Sequence, residues 1–179
     1  MDIREFRNVT DAALRDEGFS SQKLLGNKVW SLPGEDIIRL FQPHAYRRSW
    51  VFVYSGAIGI EIPALRSWIN KYKPGEGGGI LRGYFTAYII ANEDVLNKFM
   101  VEFGNPVPAD LWAGLLRDRV ARIPSSLEML LSTYRTNREE LGWLAHPHTK
   151  PAWDFVQRWR ANPDPSLHVP RMSPTGQIV

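Results

Sequence analysis

The sequence predicts an α+β fold, with an N-terminal helix, an antiparallel sheet of about four to five strands and a helical C-terminal third. Two observations lead to this prediction. Between residues 20 and 62, apolar residues alternate with a period of two, and turn residues separate the runs without intervening helical segments. From Pro108 onward, apolar residues recur at spacings of three and four, which places them on one face of a helix.

The N-terminal helix is indicated by an apolar stripe and by residues suited to its two ends. Asp2 can accept a hydrogen bond from the first turn, and Gly18 can adopt the left-handed conformation that closes a helix. We expect Phe19, which follows the glycine, to pack back onto the stripe. The stripe consists of Ile3, Phe6, Val9, Ala13 and Leu14.

The strongest strand signal lies in the segment SWVFVYSGAIGIEI, which covers residues 49–62. Two turns precede it, at Gly26-Asn27 and at Pro33-Gly34. A central strand is expected here, because its large residues share one face while small apolar residues occupy most of the other. The large residues are Trp50, Phe52, Tyr54, Ile58, Ile60 and Ile62.

The segments after this strand are predicted to alternate between helix and strand. Pro63 suits the first turn of a short helix, and the later segment ILRGYFTAYIIA has the alternation of a further strand. Asn92 is a favourable N-cap residue. We therefore expect EDVLNKFMVEFG to form a helix that Gly104 closes.

The C-terminal third is predicted to consist of helices within a single domain that covers residues 1–162. Ser125 and Glu128 have the spacing of a capping box at the start of one helix. Repeated prolines then predict a separate C-terminal tail over residues 163–179. The inward stripe of the helix PADLWAGLLRDRVARI is predicted to consist of Leu111, Leu115 and Ile123, widened by Trp112, Leu116 and Val120.

The last predicted helix has two interpretations. Trp153, Val156 and Trp159 recur at a spacing of three, which favours an inward face that covers the sheet. Arg158 and Arg160 stand beside the second tryptophan, and arginine interleaved with aromatic residues also suits a protein interface. We favour the inward face.

The composition indicates a globular protein and excludes several kinds of chemistry. The 179 residues are 44% hydrophobic and include no cysteine, which excludes disulfides, thiolate nucleophiles and cysteine-based metal sites. The net charge is only +3 and the arginines are spread along the chain, which disfavours nucleic-acid binding. Without an apolar secretory signal or a run long enough for a membrane span, we expect a cytoplasmic protein with no membrane contact.

A short N-terminal pattern carries a resemblance to a known family. In the segment LRDEGFSSQKLLGNKVWSL, a helix end marked by Leu14, Gly18 and Phe19 is followed by a strand that bears Trp30. This arrangement resembles the opening of the bacterial domain of unknown function 4304 family. The later WVFVYSGAIGIEI is similar to the aromatic-rich strand that follows in that family. The resemblance implies a bacterial protein but no assigned activity, so it implies no functional residues.

No motif in the sequence predicts a catalytic residue, a metal site or a cofactor. The glycine-rich loop PGEGGG lacks the Gly-Lys-Ser/Thr ending of a P-loop, and Glu76 within it would repel an anion. Ser55 does not stand in the Gly-x-Ser-x-Gly pattern of a nucleophile elbow. His146 and His148 are two positions apart, but nothing in the sequence fixes further metal ligands.

The sequence leaves more than one function open. The favoured one is a non-catalytic binding module whose partner is another protein or a second copy of the chain. The alternative is a small-ligand-binding protein or enzyme that holds an anionic ligand in an aromatic pocket beneath the Gly75–Gly79 loop. Nucleic-acid binding through the basic turn HAYRRSW is a third, less favoured function. The candidate ligand-binding residues of the alternative are Arg47, Arg48, Lys71, Lys73, Arg82, Trp50, Tyr54 and Tyr84.

Overall fold

The structure, a computed structural model, describes residues 1–24, 27–48, 51–72, 100–102, 108–141 and 150–164. Neighbouring strands pair in the order β1-β2-β3-β4-β5, and each pairing is antiparallel. This confirms the predicted α+β class, the sheet and the helical C-terminal part. The elements within the described ranges are α1 (Ile3–Asp16), β1 (Ser20–Leu24), β2 (Asn27–Pro33), β3 (Ile38–Arg48), β4 (Val51–Glu61), α2 (Pro63–Tyr72), β5 (Met100–Glu102), α3 (Ala109–Ala121), α4 (Leu127–Thr136), α5 (Arg138–Leu141) and α6 (Lys150–Ala161).

Helix α1 begins and ends at the predicted residues. The Asp2 side chain accepts a hydrogen bond from the Glu5 backbone N–H at 2.7 Å, which caps the first turn. Gly18 has a φ of +83°, and the Phe19 backbone N–H donates to the Leu14 carbonyl at 2.9 Å. This is the Schellman closure, and it turns the buried Phe19 ring back onto the helix as predicted.

One face of the sheet lies beneath the helices, and the strand register defines that face. Trp30 on β2 is in register with Phe41 on β3, which is in register with Ile58 on β4. All three are buried, and Ile60 and Ile62 continue the buried row at alternate positions. The predicted inward face of the three isoleucines is therefore confirmed.

The first contact between the helices and the N-terminal part is the α1–α3 junction, formed by Phe6, Thr10 and Trp112. The Trp112 indole Nε1–H donates to the Thr10 hydroxyl at 2.8 Å, and that hydroxyl donates to the Phe6 carbonyl at 2.7 Å. The rings of Phe6 and Trp112 are 5.0 Å apart. The junction is dry, because all three residues are buried, and its hydrogen bonds therefore lie in a medium where they are strong.

The second contact is the turn–α4 junction, between the β2–β3 turn and the start of α4. A Cβ atom on Gly34 would lie 2.0 Å from the Ser125 carbonyl oxygen, so only glycine allows this approach. The Glu35 backbone N–H donates to the same carbonyl at 3.0 Å. The Asp36 carboxylate accepts a hydrogen bond from the Leu127 backbone N–H at 2.7 Å and so caps α4 from outside the helix.

Two predictions about the helices were wrong in detail. Leu111, expected on the inward stripe of α3, is 52% exposed, whereas Trp112 and its neighbours toward the C-terminus are buried. The inward face therefore consists of Trp112, Leu116 and Val120 with the predicted Ile123, and the predicted Leu115 is partly buried against the core. The cap of α4 is Ser126 rather than Ser125, because the Ser125 carbonyl is occupied by the β2–β3 turn.

The predicted helix EDVLNKFMVEFG was wrong over its last part. Residues Met100–Glu102 form strand β5, which pairs with Val51–Val53 of β4. The run of apolar residues in this segment fits a strand as well as a helix, and pairing with an open sheet edge decides the outcome. The remainder of this segment lies outside the described residues, as do residues 165–179 of the predicted tail.

Candidate functional site

The residues predicted to bind a small ligand are only partly within the structure. Lys71 belongs to the last turn of α2, and Arg47, Arg48 and Tyr54 belong to the paired strands β3 and β4. Outside the described residues lie Trp50, Lys73, Arg82, Tyr84 and the Gly75–Gly79 loop.

The strand register separates two of these residues. Arg47 is in register with Phe52, and Arg48 is in register with Val51. Because adjacent strand positions alternate between the two faces, the two arginines occupy positions on opposite faces of β3. Tyr54, in register with Ala45, takes a position on the same face as Arg47. The small-ligand site stays a prediction.

The tryptophans of the last helix belong to the core. Trp153, Val156 and Trp159 are buried, so the predicted inward face of α6 is confirmed. Arg158 and Arg160 are exposed on the same helix. The arginines, and not the tryptophan rings, are therefore available to a partner.

Helices α4 and α6 meet along a seam that also positions two further arginines. The Tyr134 and Trp153 rings stack with centroids 5.1 Å apart. Beside them the Arg135 Nε–H donates to the Gln157 side-chain oxygen at 2.9 Å. Arg138 donates through Nε to the Tyr134 carbonyl at 3.0 Å, and its guanidinium lies 4.6 Å from the Tyr134 ring centroid.

We use the name arginine surface for four exposed arginines of the C-terminal helices, two oriented by these contacts, Arg135 and Arg138, and two carried by α6, Arg158 and Arg160. All four residues are exposed, and none of the four forms an ion pair with another residue in the described ranges. Arg135 and Arg138 are held through Nε by neutral acceptors. Their terminal Nη groups, which carry four of the five N–H donors of a guanidinium, are left for a partner.

Other basic residues are used differently within the chain. Arg66 contacts the Glu61 carboxylate at 2.6 Å, and Arg117 contacts the Asp16 carboxylate at 2.9 Å. In each case the positive charge is balanced locally. The arginine surface differs, because neutral groups orient Arg135 and Arg138 and do not balance their charge.

The backbone beneath the arginine surface is well anchored. Trp153 is fully buried on one side of α6. At the other end, the Trp68 indole N–H donates to the Pro163 carbonyl at 3.0 Å, and the Trp68 and Phe155 rings are 5.9 Å apart. An anchored support reduces the ordering cost when exposed side chains bind a partner.

Two basic groups on the sheet have lowered pKa values. Desolvation lowers the pKa of His44 on β3 and the pKa of Arg39 on the same strand. The Arg39 guanidinium lies 3.5 Å from the Ile123 carbonyl, while its buried Nε has no hydrogen-bond partner among the residues that the structure describes. Across the described part of the chain, no three His, Cys, Asp or Glu side chains converge in a way that could hold a metal ion.

The sequence does not predict two residues of the arginine surface, Arg135 and Arg138. Arg158 and Arg160 stand out because they flank a tryptophan, whereas Arg135 and Arg138 carry a weaker signal. The signal is the spacing of four between Tyr134 and Arg138, which brings an aromatic ring and a cation together at a helix end.

The comparisons with known proteins leave the chain without an assigned family. Searches against protein-family models, curated proteins and solved structures gave no match. The resemblance to the domain of unknown function 4304 family therefore stays a prediction. None of the helices that the structure describes is both long enough and apolar enough to cross a membrane.

Proposed function

We propose that this protein is a non-catalytic binding module that contacts another protein through the arginine surface. The observation that carries the proposal is the orientation of Arg135 and Arg138 by neutral acceptors that belong to the packed helices α4 and α6. Arginine is enriched at protein interfaces and often dominates their binding energy. Orientation before binding lowers the entropy lost when the partner arrives.

A second exposed residue of the helix that carries Arg135 supports a protein partner. Met129 on α4 is 55% exposed, and methionine is also enriched at protein interfaces. We place the protein in the cytoplasm, because a chain without cysteine lacks the disulfides that stabilise many exported proteins. The partner is another protein, and a second copy of this chain is tested separately below.

The proposal is tested by comparative capture from the cytoplasmic extract of the source cells. The bait is the wild-type chain, the variant Arg135→Gln/Arg138→Gln, or the control Arg4→Gln/Arg7→Gln. The control removes the same charge from exposed positions on α1. A protein retained by wild type and control but lost with the test variant is then purified and its binding measured directly. Equal retention by all three baits contradicts the proposal.

Self-association is tested by sedimentation of the purified chain. A concentration-dependent dimer that the test variant abolishes would assign the arginine surface to a second copy. A monomer at all concentrations leaves the surface to a different protein, as proposed.

A further inference from the structure

We infer that the partner presents carboxylate groups, as an acidic protein segment does, and that Arg135 and Arg138 bind them end-on. This inference rests on the proposed function and names the chemistry of its partner. A guanidinium whose Nε is already bonded presents its two Nη groups as a planar fork. Both arginines are bonded in this way, one to Gln157 and the other to Tyr134.

A carboxylate is the protein group that fits such a fork. Its two oxygens accept two parallel N–H bonds from the Nη pair, and these charge-assisted bonds are stronger than bonds between neutral groups. The acceptors that hold the arginines in place are neutral, so they do not cancel the charge that attracts the carboxylate. Arg158 and Arg160 add exposed positive charge on the neighbouring helix, which favours encounter with an acidic segment.

The neighbouring acidic residues argue against a nucleic acid. Glu139 and Glu140 are exposed directly after Arg138, and Glu128 is exposed on α4. A nucleic-acid backbone carries a charge at every phosphate and would be repelled at these positions. A protein segment carries its carboxylates at the ends of flexible side chains, which can turn away from these positions. An alternation of arginine and glutamate therefore favours an acidic protein segment.

The experiment measures binding of a dye-labelled oligoglutamate peptide by fluorescence anisotropy at low and at moderate salt. We expect salt-dependent binding to the wild-type chain. Arg135→Gln/Arg138→Gln should weaken it about tenfold, because two oriented charge pairs are lost and each exposed pair contributes modestly. The control Arg4→Gln/Arg7→Gln has the same net charge and should change the affinity by about twofold or less.

A third variant separates the fork from the charge. Arg135→Lys/Arg138→Lys keeps both positive charges but replaces each planar fork by a point charge. We expect it to bind oligoglutamate several-fold more weakly than wild type. Thermal unfolding of each variant provides a readout of folding, and all four substituted residues are exposed, so the variants should fold.

Several outcomes would overturn the inference. Equal weakening by the test and control variants would show a response to net charge alone. Full binding by the lysine variant would show that the planar guanidinium fork is not needed. Tighter binding of a single-stranded oligonucleotide through the same two arginines would assign the surface to nucleic acid. If oligoglutamate does not bind while the captured partner still depends on Arg135 and Arg138, the inference fails and the proposed function stands.

Discussion

Two of the junctions that attach the C-terminal helices to the rest of the chain use different physics. The α1–α3 junction is made by side chains, with the Trp112 indole bonded to the Thr10 hydroxyl in a buried setting. The turn–α4 junction is made mainly by backbone groups, because Gly34 and Glu35 approach the Ser125 carbonyl directly. The α1–α3 junction depends on the shape and polarity of its side chains. The turn–α4 junction depends on Gly34 having no side chain.

The difference determines how each junction responds to substitution. A side-chain junction can lose one group and relax around the gap, so the cost of a substitution is graded. A backbone junction at contact distance has no side chain that could move away. An added atom there displaces the two segments themselves. We therefore expect a substitution of Gly34 to have the largest effect on stability.

Gly34→Ala should be the most damaging single substitution. The new Cβ would lie 2.0 Å from the Ser125 carbonyl oxygen, which belongs to the backbone and cannot rotate away. We expect a loss of about 3 kcal/mol in the free energy of unfolding, at the upper end of overpacking costs. Chemical denaturation followed by tryptophan fluorescence measures it.

Gly114→Ala is the matched control for this substitution. Gly114 lies within α3 with nothing within 4 Å of the position that a Cβ would take. Alanine there should stabilise the protein by about 0.5–1 kcal/mol, because glycine is a poor helix former. If both substitutions changed the free energy of unfolding in the same direction, the proposed difference between the crowded Gly34 and the uncrowded Gly114 would be wrong.

The α1–α3 junction is tested by a double-mutant cycle on Thr10 and Trp112. Thr10→Val removes the acceptor of the buried indole N–H and should cost about 2 kcal/mol in the wild-type background. In a Trp112→Phe background there is no indole N–H, so the same substitution should cost clearly less. A coupling energy near zero would show that the hydrogen bond contributes nothing to the junction.

The two junctions also explain how much of the fold the sequence could predict. The start and end of α1, the inward isoleucines of β4 and the inward tryptophans of α6 follow from periodicity and capping, which are local. The approach of Gly34 to Ser125 is not local, since two segments far apart in sequence meet there. It shifted the cap of α4 from the predicted serine to the next one.

The arginine surface was predictable only in part for the same reason. Arg158 and Arg160 stand out within one helix, whereas the orientation of Arg135 depends on Gln157, a residue of another helix. Single-sequence patterns report which residues share a face. They do not report which groups on two helices meet, and this determines whether an arginine keeps its terminal N–H groups available.

Asp36→Ala should have a smaller effect than Gly34→Ala or Thr10→Val. The Asp36 carboxylate accepts from the Leu127 N–H, and Ser126 still caps the neighbouring N–H of Met129. We expect a loss of about 1 kcal/mol, as for other N-terminal caps. Asp36→Asn keeps an acceptor oxygen and should retain most of the stability. Equal losses for both variants would assign the effect to the charge of the carboxylate at the helix N-terminus.

Arg39→Met should have the smallest effect, because two contributions to the free energy of unfolding oppose each other. The desolvated guanidinium has a buried Nε without a partner, and methionine removes that cost. The long contact to the Ile123 carbonyl near the end of α3 is lost at the same time. We expect a change within about 1 kcal/mol for Arg39→Met, and a clear loss for Arg39→Ala, which also removes the apolar stem that packs on the core face. If Arg39→Met were as destabilising as Arg39→Ala, the guanidinium would itself attach the end of α3 to the sheet, and the comparison of the two junctions would have to include it.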